Sequence, residues 1–131
     1  MPSAVDTNVL LRFLVDDGSE HVASARRIFA GENVFVPLSV MLEAEWVLRS
    51  SFGFEKAQIC DAFDRLLGLE TVTIQEIETV EGAVSSARDG MDFADALHLH
   101  SSANCGVFYT FDKKLIRKAK GMELGPATHY P

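Results

Sequence analysis

Two short apolar runs end in an aspartate: Val5-Asp6-Thr7-Asn8 near the start and Tyr109-Thr110-Phe111-Asp112 towards the end. In open parallel sheets, functional side chains gather beyond the carboxyl ends of the strands, which places both carboxylates on one rim. Each aspartate alone also suits a helix N-cap. Two on one rim go beyond that need. Asp92 and Asp95 lie three residues apart at a helix start and share a face. Ala96, Leu99 and Ala103 extend that face, so it should point inward. A cap and the helix dipole account for Asp92. They account less well for Asp95, because a cap helper need not lie on an apolar face.

A further acid comes from the helical run Val40 to Leu48, with two candidates. Glu45 stands four residues before Arg49, the spacing of a solvated ion pair. On a 3.6-residue wheel Glu43 falls among Val40, Trp46 and Val47, where a carboxylate is costly unless something pairs with it. The expectation is therefore Glu43 in the site and Glu45 on the surface. Asp6, Glu43, Asp95 and Asp112, with Asp92 beside them, form an all-oxygen donor set with no Cys and no clear His partner. Such sets suit Mg²⁺ or Mn²⁺. Repulsion among unpaired carboxylates would raise their pKa values, and a divalent ion neutralises them. The chemistry that follows is metal-assisted hydrolysis of a phosphodiester. Lys113, Lys114, Arg117 and Lys118 begin directly after Asp112 and could hold a substrate backbone. They equally suit a solvated helix face. His98 and His100, two apart on a helix, point in different directions and are expected to be structural or surface residues. Trp46 and Phe63 sit at helix-core spacing and are expected to pack.

The elements that must position these acids alternate. Strand-like runs fall at Ser3–Asp6, Val34–Val36, Val72–Ile74 and Val107–Thr110, with Met122–Leu124 as a candidate last strand. Helical runs follow Asp6 and cover 23–30, 40–48, 55–67, 80–88, 92–103 and 113–120. The punctuation is Asp16-Asp17-Gly18, Gly31, Gly68, Gly90 and Gly106. Short apolar strands alternating with helices imply βαβ units. The expected fold is α/β, a three-layer α/β/α sandwich with a mainly parallel sheet of about four or five strands.

The chain has 131 residues, the size of one domain, so residues 1–131 are expected to form a single unit. At 47% apolar and 24% charged, the composition excludes intrinsic disorder. No apolar run approaches the ~18 residues of a membrane span, and the N-terminus lacks the pattern of a signal peptide. Cys60 and Cys105 make no disulfide framework and read as buried thiols. A cytoplasmic location is expected. The net charge of −7 is the wrong sign in bulk for a nucleic-acid binder. Five of the twelve cations, however, fall between Lys113 and Lys120, so any polyanion contact should concentrate there.

These pieces, in this order, resemble the PIN-domain family and in particular its VapC-type ribonuclease toxins. The resemblance rests on Val5-Asp6-Thr7-Asn8-Val9-Leu10, Val34-Phe35-Val36-Pro37, Leu42-Glu43-Ala44-Glu45-Trp46-Val47-Leu48-Arg49, Asp92-Phe93-Ala94-Asp95-Ala96-Leu97 and Thr110-Phe111-Asp112-Lys113-Lys114. It covers almost the whole chain. It implies a Mg²⁺/Mn²⁺-dependent endoribonuclease, the toxin of a prokaryotic type II toxin–antitoxin system, with RNA as substrate and a cognate antitoxin as partner. It implies Asp6, Glu43, Asp95 and Asp112 as the catalytic metal ligands and Asp92 as an auxiliary acid. Thr7, Asn8 and Thr110 would support them by hydrogen bonding. His98 and His100 depart from the aliphatic or small residues usual in relatives. Relatives usually form homodimers, and a chain this small with many apolar helical faces suits one.

Other functions make different demands. A receiver-type phospho-acceptor domain wants an acidic pair at the end of its first strand, and Asp6 is followed by Thr7 and Asn8. A haloacid-dehalogenase-like phosphatase needs a second Asp two residues after the first, where Asn8 stands. A catalytically inactive PIN-like binding module meets every demand except activity.

Overall fold

The computed structural model describes all 131 residues. They form two compact units, Met1–Ile77 and Glu78–Pro131. The first opens with β1 (Ser3–Ala4), α1 (Thr7–Leu14), α2 (Glu20–Gly31) and β2 (Val34–Val36). It continues with α3 (Leu38–Ser50), α4 (Lys56–Leu67) and β3 (Val72–Ile74). Its strands run parallel in the order β1-β2-β3, with Ser3 opposite Val34 and Val34 opposite Val72. A helix pair therefore crosses over between successive strands, as parallel pairing requires. Val34 and Val36 of the central strand are fully buried. Around them the largest sealed side chains are Phe63, Leu10, Met41, Leu48 and Leu66. Phe13 stacks on Phe29, ring centroids 3.9 Å apart, and fastens α1 to α2. Pro37 begins α3 without a backbone donor, which costs nothing at a helix start. A capping box of Glu55 and Gln58 begins α4.

The second unit holds α5 (Ile77–Arg88), α6 (Phe93–Ser101), β4 (Val107–Tyr109), α7 (Lys113–Gly121) and β5 (Ala127–His129). Strands β4 and β5 pair in parallel with Val107 opposite Ala127, and α7 crosses between them. The backbone turns at Gly90, whose φ of +109° lies where side chains are rarely accommodated. Lys118 reaches back from α7 and donates to the Gly90 carbonyl. On α5, Gly82 leaves room for the His100 ring of α6.

The α/β class with parallel strands agrees with the sequence. Five strands form, hydrogen-bonded as a three-stranded and a two-stranded sheet. Two assignments need correction. Met122–Leu124 is not a strand: α7 runs to Gly121, Glu123 adopts a positive φ of 56°, and the last strand follows at Ala127. Cys105 is exposed, because α6 ends at Ser101 and leaves it in the following turn, whereas Cys60 is buried as expected. No helix is long and apolar enough to cross a membrane.

Candidate functional site

Each strand-end aspartate is built into a helix start. Asp6 leaves β1 in extended conformation and its Oδ1 accepts the Val9 N–H at 3.0 Å. Asp92 caps α6 through Oδ2, which accepts the Asp95 N–H at 3.1 Å. Asp112 caps α7 through Oδ1, which accepts from the Lys114 and Leu115 N–H groups at 3.0 and 3.1 Å. The bland reading of these residues as N-caps is therefore correct for all three. It does not compete with a second role, because each cap is made through a single carboxylate oxygen. The cap fixes the side chain while its carboxyl group remains exposed.

In the first unit, Thr7 follows the Asp6 cap and is buried, and its hydroxyl donates to Glu43 Oε1. That bond ties the N-terminus of α1 to α3 and orients the glutamate. Asn8 is exposed beside it. The burial of the two α3 glutamates reverses the sequence expectation. Glu43 is exposed, and Glu45 is 6% exposed within the stripe Val40, Met41, Ala44 and Leu48. Glu45 remains paired there because Arg49 Nε reaches its Oε2 at 3.0 Å from one turn on. Trp46, expected to pack, is 57% exposed on the side opposite that stripe, while Phe63 is fully buried. A cleft of about 370 Å³ opens between α1 and α2 at Asp6, with Asn8, Arg12, His21 and Ser24 as its other polar lining. Sequence reasoning missed Arg12, His21 and Ser24, since on an amphipathic helix they resemble any solvated face.

In the second unit the acids press on one another. Asp95 is half-buried, and burial, followed by the charges of Asp92 and then Asp112, pushes its carboxyl above the ordinary aspartate value. His98 opposes this weakly. Three carboxylates on α6 and at the start of α7 thus share one electrostatic neighbourhood. Thr110 holds the turn, its hydroxyl accepting the Asp112 N–H at 3.0 Å. Lys113, Lys114 and Arg117 are exposed beyond it, whereas Lys118 is half-buried and occupied by Gly90. His98 is exposed. His100 is structural: its Nε2 lies 2.9 Å from Ser86 Oγ, and burial holds the ring below its usual pKa.

No three His, Cys, Asp or Glu side chains stand in a preformed ligand cage. The chemistry of the donors is what fits a metal: they are carboxylate oxygens alone, which suit a hard divalent cation, and Asp95 among them is pushed up by burial and then by the charges of Asp92 and Asp112. In the second unit these carboxylates stand at the start of the helix that carries the exposed Lys113, Lys114 and Arg117.

Comparison with known proteins agrees with this chemistry. No curated protein and no solved structure matches the chain significantly. The family model of the PIN domain matches residues 4–121, a span that runs through both units and includes all five acids. PIN domains are generally nucleases and typically use divalent metal ions. By that match, which covers most of its length, the chain belongs to the PIN domain family.

Proposed function

We propose that the chain is a Mg²⁺/Mn²⁺-dependent endoribonuclease and acts as the toxin of a type II toxin–antitoxin pair, with residues 1–131 folding as one PIN-like domain. The single observation that carries the catalytic part is the raised pKa of Asp95, caused by burial and by Asp92 and Asp112. Unpaired acids crowded in this way favour a cation over protons at neutral pH. Asp6, Glu43, Asp95 and Asp112 are the proposed ligands, with Asp92 auxiliary. When bound, the ion would supply an activated water and charge stabilisation for the leaving oxygen. The chain's own residues do the positioning. Thr7 orients Glu43, Thr110 fixes the turn that carries Asp112, and the helix-start amides fix Asp6, Asp92 and Asp112. Lys113, Lys114 and Arg117 hold the RNA backbone.

The test is cleavage of single-stranded RNA by purified protein with Mg²⁺ or Mn²⁺ and with EDTA. Cleavage should need the metal and should collapse in Asp6→Asn and Asp95→Asn. A parent-like rate for Asp6→Asn at saturating metal would remove it as a ligand and take the main support from the hydrolase reading. The toxin role predicts growth arrest on expression and relief by the product of an adjacent small gene. A homodimer is part of this proposal and should appear in sedimentation at micromolar concentration.

A further inference from the structure

Beyond the metal site, and resting on the nuclease reading, we propose that Phe111 and Tyr130 form a platform on which an unpaired nucleobase of the RNA stacks. Phe111 stands between Thr110 and Asp112, and its side chain is 73% exposed. Tyr130 follows β5 and is 54% exposed. The two rings meet edge to face, centroids 5.5 Å apart at 86°. Exposed aromatics of this size forgo burial in the core, and two in fixed mutual contact make a ready-made apolar surface.

Charge selects the occupant. Lys113 Nζ lies 5.4 Å from the Tyr130 centroid, within cation–π range. Lys114 and Arg117 are exposed on the same helix. Aromatic faces flanked by cations suit a polyanion that carries π-faces, as in single-stranded nucleic-acid sites. An apolar protein surface would leave those cations unanswered. The backbone beneath is already rigid. Thr110 Oγ1 accepts the Asp112 N–H at 3.0 Å, and Asp112 caps α7, so Phe111 is presented with little ordering left to do. Tyr130 lies outside residues 4–121, so half of the platform falls outside the family match.

The test is fluorescence anisotropy with three labelled RNAs in EDTA at low salt: a single-stranded dodecamer, the same strand with abasic sites, and its duplex. The parent should prefer the intact single strand to both others. Phe111→Ala and Tyr130→Ala should weaken intact-strand binding roughly 5- to 150-fold, the span of one lost stacking contact. Binding of the abasic strand should stay unchanged, and Phe111→Trp should restore the preference. An equal loss for intact and abasic strands, no loss in either variant, or no RNA binding by the parent would overturn the proposal. So would sedimentation in which Phe111→Ala only converts a dimer to a monomer, since the patch would then serve self-association. Cleavage with Mg²⁺ separates the two readings. A parent that binds selectively but never cuts sinks the nuclease reading, and one that cuts without base preference sinks the platform.

Discussion

Gly82→Ala should destabilise the protein, and the same change should stabilise it once His100 is gone. Gly82 lies in the middle of α5, where glycine costs about 0.8–1 kcal/mol relative to alanine. A Cβ at that position would stand 2.5 Å from His100 Nδ1 and 2.6 Å from Cε1. The ring cannot simply swing aside, because its other nitrogen is hydrogen-bonded to the buried Ser86 hydroxyl at 2.9 Å. Forcing it out costs about 1–3 kcal/mol in overpacking and about 1 kcal/mol for the hydrogen bond. Set against the helix gain, the net loss in the parent is about 1–3 kcal/mol. In a His100→Ala background the clash is absent, and Gly82→Ala should gain about 1 kcal/mol. In that background Ser86 lacks its partner before and after the change, so the hydrogen-bond cost enters only the parent side of the cycle and forms part of the coupling. Urea unfolding of the four proteins at pH 7.5, where the low His100 pKa keeps the ring neutral, gives the coupling directly. A value of about 2–4 kcal/mol is expected. Coupling below about 0.5 kcal/mol, or a gain from Gly82→Ala in the parent, would refute the idea that this close approach sets the spacing of α5 and α6.

The raised Asp95 pKa gives a pH signature of defined sign. A carboxyl harder to ionise in the folded than in the unfolded state contributes stability below 3.8 that is lost as pH rises through the folded value. Asp95→Asn should therefore raise the metal-free Tm at pH 7, and the gain should shrink below that point; an unchanged or lower Tm at pH 7 would contradict it. Mg²⁺ or Mn²⁺ should raise the parent Tm in a thermal-shift titration and raise that of Asp95→Asn less. Thr7→Val should weaken metal-dependent cleavage by freeing Glu43 while leaving the fold intact by circular dichroism, and unchanged cleavage would show that the Thr7 bond positions nothing. Lys113→Ala with Lys114→Ala should weaken RNA binding and flatten its salt dependence by roughly 0.7 per lost phosphate contact; an unaltered salt slope would place the phosphates elsewhere.

Asp6 and Asp112 were legible as strand-end caps because the signal is local: an apolar run, an aspartate and then a helical period specify both a strand end and a cap. The pair Asp92 and Asp95 was legible for the same reason, their spacing falling within one turn. Helix α3 was not, because a wheel drawn through Val40, Trp46 and Val47 treats any large apolar residue as a core residue. Met41, Ala44 and Leu48, spaced three and four apart, are the sealed stripe, and Glu45 lies with them. Arg49 makes that burial tolerable by bringing its charge in from the edge of the stripe while staying half-exposed itself. The last strand was missed because Ala127-Thr128-His129 is barely apolar. Only Thr128 is buried there, and the pairing with β4 defines the strand more than its own composition does. The His100–Gly82 approach has no sequence signature, since it depends on how two helices cross.

The threefold use of aspartate as a helix cap has a genetic consequence. Asparagine caps a helix about as well as aspartate, whereas alanine costs about 1 kcal/mol at each cap. Asp6, Asp92 and Asp112 can each become asparagine through a single-base change, with no helix start lost. All three together move the net charge from −7 to −4. If expression of the chain burdens a cell, survivors can arise that keep full-length, folded, abundant protein. On the proposed toxin role, such inert copies would still hold RNA through Lys113 and Lys114 and still occupy the antitoxin. Silencing by asparagine would therefore act in trans, shielding substrate and drawing off the inhibitor, whereas a truncated chain would merely be absent.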